Sequence, residues 1–386
     1  MEVRLIKPDE AVDYLKISAA SFIWKFDKEV DKEVEMPVMG AFHDGKLIAG
    51  MELFDFKCNY CGNLVNSLVM SGICSQPESR RMGGVRAIFQ EVGRAAVEND
   101  ITLGFLSPFS TEYYEKFGFA NLNRYFAIEV PFERLCHIPR SNDVELYTGE
   151  QLEELCELHN KCAFGTNLMT LREDNKHFCS QPLEEADYTY IHRNKQGEAD
   201  GYVRFKVIRP EQLVCEELFV LTPEALKGIV GFLRNYDGIV KTLMVKKQYQ
   251  GSPFSCLAER LDGISYHDDK VYAGRIYNLK KLLENNAYPE KYGKFSILSL
   301  DDLEQNKGIF EVEYENGKVT VTKRAEGEYD IALTPPAAAR LLLAGEGHTA
   351  ETAVYVDGVE LKTPAEDFFR AFPHRWTLFR DSFWSI

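Results

Sequence analysis

Long apolar runs are missing from this sequence: nothing approaches the roughly 20 uninterrupted apolar residues that a bilayer-spanning helix needs. The opening stretch, MEVRLIKPDEAVDYL, also lacks the apolar core of a secretory leader. Positive charge is in deficit, with 45 Lys+Arg against 60 Asp+Glu and a formal net charge of −15. Such a surface repels phosphate backbones, so a nucleic-acid partner is not expected, whereas a cationic partner such as an amine is favoured. Metal chemistry has little to work with. No His-Glu-x-x-His run occurs and the eight histidines are scattered. Cys58-Asn-Tyr-Cys61 stands without the second Cys or His pair that a structural zinc site requires. The nine cysteines have irregular spacing and no export signal beside them, so they are read as reduced thiols. The expectation is a cytoplasmic chain with no metal and no membrane partner, whose 386 residues suffice for two or three domains.

What is present is strong punctuation. Val38–His43, Asp44-Gly45 and Lys46–Phe56 read as a hairpin, followed by a strand from Leu64 to Ser75. Val85, Ile88, Phe89, Val92 and Ala96 then fall on one helical face. A short strand Ile101–Leu106, a short helix Thr111–Lys116 and a long final strand Phe119–Val130 complete a mixed layer, and Phe132–Asp143 reads as a linker. A second segment repeats the order more loosely: a helix near 150–164, strands from 188 to 208 around Gln196-Gly197, then a helix opened by Thr222-Pro223. A third is marked by alternation in Phe310, Val312 and Tyr314, the turn Asn316-Gly317, and Val319 and Val321. The predicted class is α/β (α+β), in three domains at 1–140, 141–288 and 289–386.

The most informative stretch runs from Met70 to Phe89. A strand ends at Ser75, Arg80 and Arg81 follow, and Gly83 and Gly84 open the amphipathic helix. Free amides at a helix start form an anion site, and glycine lets a diphosphate approach the main chain. A solvated turn whose glycines merely permit packing is an equally open reading of these residues alone. Neither a GKS/GKT P-loop nor a GxGxxG fingerprint is present.

Arg80-Arg-Met-Gly83-Gly-Val85 resembles the diphosphate loop of the GNAT acyl-CoA N-acyltransferases, Arg/Gln-x-x-Gly-x-Gly/Ala, with Val85 departing from the small residue usual there. Pro77-Glu-Ser-Arg80-Arg81-Met-Gly83 and Tyr114-Glu-Lys116-Phe117-Gly118-Phe119 are similar to motifs of one subgroup, the enhanced intracellular survival proteins. The resemblance implies tandem GNAT-like mixed sheets flanked by helices: a catalytic domain, a degenerate copy, and a C-terminal domain like the sterol carrier proteins. It further implies acetyl-CoA as co-substrate, direct attack by a primary amine in a ternary complex, and a homo-oligomer, specifically a hexamer. The amine would be an aminoglycoside-like polyamine or a protein lysine. A non-catalytic acyl-CoA sensor and a lipid carrier are the rival readings.

Roles come from the same resemblance. Ile73, Cys74 and Ser75 would meet the cofactor's pantetheine arm through their backbone, and Arg80, Arg81, Gly83, Gly84 and Val85 its diphosphate. Tyr114 would be the general acid for the departing thiolate, with adjacent Tyr113 as its competitor, and the α-carboxylate of Ile386 the general base. Phe22 and Trp24, with Met70 and Ser71, would line the acceptor side. Cys74 as a nucleophile is the weaker alternative to a structural cysteine.

Overall fold

A two-residue hairpin turn of type I′ needs left-handed backbone at both positions, and Asp44 (φ 49°) and Gly45 (φ 75°) supply it. They join β2 (Val38–His43) to β3 (Lys46–Tyr60), and β3 turns back through Cys61-Gly62 into β4 (Asn63–Ser75). The computed structural model describes residues 1–27, 31–34, 36–122, 125–172, 187–208, 210–269, 272–375 and 377. The chain divides into two compact units, Met1–Leu122 with Tyr272–Arg375, and Asn123–Val271 with Trp376–Ile386.

In the first unit, β1 (Glu2–Leu5), β2, β3 and β4 lie side by side, and β5 (Leu103–Leu106) pairs parallel to β4. A strand from much later in the chain, Ala273–Ile276, then inserts between β5 and β6 (Ala120–Asn121). Helix α1 (Ala11–Phe22) packs its Tyr14 and Ile17 on one face of the sheet with Val38, Phe42 and Leu47. Helix α2 (Gly84–Glu98) buries Ile88, Phe89, Val92 and Ala96 on the other, the stripe expected from the sequence.

Strand β4 departs from a regular strand in two ways. Gly50 pairs with Cys74 and Glu52 with Ser71, so β4 spends one residue more than β3 over this stretch and bulges at Gly72 (φ 53°). Pairing between β4 and β5 covers only Ser67–Val69, so Met70–Ser75 run on without a strand partner on that side among the described residues.

The second unit repeats the plan. The order is β13 (Ser265–Asp268), β7 (Phe126–Pro131), β12 (Thr242–Gln248), β11 (Gln212–Val220), β10 (Ala199–Ile208), β9 (Asp187–Arg193) and β8 (Val144–Leu146). Helices α4 (Leu152–Phe164) and α5 (Pro223–Leu233) pack against β10. Here too the middle strand bulges, at Glu216 between Cys215 and Glu217, and β11 leaves β12 after Cys215.

The long strand expected over Phe119–Val130 is not formed. Its start is β6 in the first sheet, and its end is β7, paired with β12 and β13 in the second. The chain therefore changes sheet near 123, ahead of the expected boundary at 140, and returns with β14 (Ala273–Ile276), ahead of 288. Local pattern marks a strand but not its neighbours. Residues 132–143, read as a linker, include a buried turn with Phe132 and Leu135 in the second core.

The C-terminal sheet, ordered β17 (Lys318–Arg324), β16 (Gly308–Glu315), β15 (Gly293–Ser299), β18 (Ile331–Leu333) and β19 (Val359–Leu361), belongs to the first unit. It is tied there by contacts a separate appendage would lack. The Tyr60 hydroxyl donates to the Leu342 carbonyl (3.1 Å), Arg340 pairs with Glu115 (2.7 Å), and Arg275 with Asp301 (3.0 Å).

Candidate active site

After β4, the Gln76 amide donates to the Ile48 carbonyl (2.9 Å), and Pro77–Ser79 make a short helical turn closed by the Met82 amide on Ser79 (3.2 Å). Arg81 (φ 71°) and Gly83 (φ 88°) then reverse the chain into α2. The amides of Gly83, Gly84, Val85 and Arg86 meet no backbone acceptor among the described residues, as the first turn of a helix dictates. The two glycines serve different ends. A Cβ on Gly83 would meet nothing within 4 Å, so its face is open. A Cβ on Gly84 would stand 3.0 Å from that of Ala49, so Gly84 lets the helix start lie directly on β3. Arg80 and Arg81 are exposed and have no ion pair among the described residues. Open amides, a positive helix end and two unpaired guanidiniums make a site for a multiply charged anion.

The bulge on β4 decides which of its side chains reach this place. Met70 and Cys74, an even number of residues apart, would share a face of a regular strand. The extra residue turns Cys74 to the α1 face, beside Tyr14, while Met70 and Ile73 pack on the α2 face. Met70 is sealed in that core, where the Tyr277 hydroxyl donates to its sulfur (3.5 Å), so its side chain is withheld from any acceptor. Ser71, Ile73 and Ser75 are half-buried. Burial, and then the nearby Glu52 carboxylate, push the Cys74 thiol up to about 12, a protonated structural cysteine and a poor nucleophile.

Helix α3 (Thr111–Glu115) is capped by Ser110, whose hydroxyl accepts from the Tyr113 amide (3.3 Å). Tyr114 lies against Phe89, Tyr113 and Phe119 in edge-on contacts, with Tyr113 5.1 Å away. Its hydroxyl makes no hydrogen bond among the described residues, yet its oxygen is not sealed from solvent. Burial first, and Tyr113 second, raise its pKa above the ordinary phenol value. Tyr113 is half-buried and also raised by burial, with Arg86 pulling the other way. The two rings stand at 87°, so they present their hydroxyls differently.

On the α1 side, Phe22 ends the helix 53% exposed and Trp24 comes after the left-handed Ile23. The Trp24 indole donates to Ser18 (3.4 Å), one turn of α1 from Tyr14. The Tyr14 hydroxyl lies 2.9 Å from Glu52 and donates to the Gly72 carbonyl at the bulge (3.0 Å). Glu52 is not singled out by the sequence, since an acidic residue on a strand looks like a solvated face; Gly72 within the strand was the available signal. Ile386 lies outside the described residues.

The corresponding turn of the second unit is built differently. Thr222 caps α5 by accepting from the Ala225 amide (3.0 Å), and Pro223 has no N–H to offer.

Residues 2–121 match the family model of an acetyltransferase (GNAT) domain, and residues 170–276 a second model of the same description. A sequence comparison with curated proteins gave no match. Among solved structures, a probable N-acyltransferase from Enterococcus faecalis V583 superposes with a TM-score of 0.86 at 19% identity, covering 98% of this chain and 99% of that one. A GCN5-related N-acetyltransferase from Anabaena variabilis gives 0.82 at 18%, covering 98% and 99%. Eis1 from Mycobacterium abscessus gives 0.74 at 17%, also covering 98% and 99%. At these identities the likeness is one of fold.

Proposed function

The chain belongs to the GNAT acetyltransferases, with two such domains in tandem, and from that premise we propose that its first domain carries acetyl from acetyl-CoA to a primary amine by direct attack. Acetyl-CoA is the co-substrate of these domains and amines are their acceptors. The observation that carries the reading is the juxtaposition of the open amides at Gly83–Arg86 with the unpaired edge of β4. The turn would hold the diphosphate with Arg80 and Arg81, while the backbone of Ile73, Cys74 and Ser75 would receive the pantetheine arm and polarise the thioester carbonyl.

Attack by the amine breaks the C–S bond, and the thiolate needs a proton. Tyr114, kept protonated by its burial and with an unclaimed hydroxyl, would supply it. The attacking nitrogen arrives as an ammonium and must lose a proton. The base role assigned to Ile386 by resemblance concerns a residue outside those described. Glu52, beside the bulge, would attract the ammonium there, with Phe22 and Trp24 walling the acceptor side and Ser71 facing it. The overall charge of −15 favours cationic acceptors, an aminoglycoside-like polyamine or a protein lysine. The second domain, with a proline-capped turn, would support the first rather than hold coenzyme A, and the C-terminal sheet is the sterol-carrier-like part of the proposal. A hexameric assembly is tested by light scattering.

The reading is tested by mixing the full chain with acetyl-CoA and a panel of amines while monitoring thiol release. Saturable, amine-dependent release is expected. Thiol release that ignores every amine, or no calorimetric binding of coenzyme A, would overturn it.

A further inference from the structure

The second unit keeps the splayed strand but has lost the diphosphate turn, and a cavity of about 760 Å³ opens at that place. We propose that this cavity binds an amphipathic carboxylate, a single anionic group on an apolar chain. The inference is independent of acetyl transfer in the first unit.

Its size falls in the range of about 300–1,000 Å³ usual for small-molecule sites. Ile138, Val220, Leu226 and Leu257 make an apolar wall from three separate segments of the chain. The charge is what singles it out. Lys227 and Arg260 line the cavity and, among the described residues, no Asp or Glu does, in a chain with 60 acidic against 45 basic residues. Lys227 and Arg260 are exposed and form no ion pair among the described residues. A cavity lined by two side-chain cations on an acidic protein matches an anion. That anion is not a diphosphate held by main chain. The Thr222 hydroxyl is committed to the Ala225 amide (3.0 Å) and to Asp200 (2.8 Å), and Pro223 removes a donor. Flexible side-chain cations beside an apolar wall suit a carboxylate with a hydrocarbon tail.

Cys256 makes the idea directly testable. It lines the cavity and is exposed, while Cys136 is exposed outside the lining. In the full-length protein, laurate below its micellar concentration should slow maleimide labelling of Cys256 about tenfold and leave Cys136 unchanged, read by mass spectrometry. Lys227→Glu with Arg260→Glu should weaken laurate binding about tenfold or more and leave the KM for acetyl-CoA as it was. Equal protection by dodecanol would remove the carboxylate. Protection by coenzyme A alone would make the cavity a nucleotide site, and protection by raised protein concentration without laurate would make it a contact between copies. Unprotected Cys256 at saturating laurate would also overturn the proposal, and that outcome needs no variant to fold.

Discussion

The two seven-stranded sheets of this chain bulge in corresponding strands and part in corresponding places, yet one strand leads into Arg80-Arg-Met-Gly-Gly84 and the other into Leu221-Thr-Pro-Glu224. The first turn leaves four amides open among the described residues and places Gly83 where the face is clear. The second spends its amides on a threonine cap and gives one up to proline. What separates them is local. A strand that splays prepares room for an extended ligand, but the grip on a charged one depends on whether the helix start is left unsatisfied. Stability and binding compete for the same N–H groups, and each copy has settled the contest in the opposite way.

The strongest way to break the comparison is at the chemistry that only the first unit offers. Tyr114→Phe should lower kcat about 100-fold, with the Kd of acetyl-CoA changed less than about twofold by calorimetry. Because burial raises this phenol above its usual value of about 10, it stays protonated across the working range. The wild-type rate should therefore show no loss assignable to Tyr114 below about pH 10; an alkaline fall near pH 8 that vanished in the variant would contradict the role. Next in size is the turn itself. Gly83→Val, at φ 88°, should weaken acetyl-CoA about tenfold or more, whereas Thr222→Val should leave that affinity unchanged. Equal losses from both would erase the difference drawn between the turns. Glu52→Gln should raise the amine KM about fivefold with the Kd of acetyl-CoA unmoved, as expected for a lost electrostatic attraction of about 1 kcal/mol. The smallest effect is purely structural: Thr222→Ala removes a cap and should cost about 1 kcal/mol in denaturant unfolding without altering turnover.

Where residues act through near neighbours, the chain could be read directly. Asp44-Gly45 and Asn316-Gly317 announced their hairpins, and both adopt the left-handed pair. The apolar stripe of α2 and the glycines at its start marked where that helix begins within a residue or two. The side-chain geometry of β4 was not accessible in this way. An alternating pattern assigns Met70 and Cys74 to one face, and only the pairing with β3 shows the added residue that parts them. The surroundings of Glu52 were hidden for the same reason, since they are set by Tyr14 and Gly72, residues far from it in sequence.

Sequence alone settled the periodicities, the turns and the excess of acid, because each depends on spacing or composition within a few residues. Which strand joins which sheet was decided by tertiary structure: 126–131 in the second, 273–276 in the first. So was the burial of Met70 in the α2-side core. Strand pairing is non-local, and its free energy comes from hydrogen bonds and apolar contacts between segments whose order along the chain leaves several partners open.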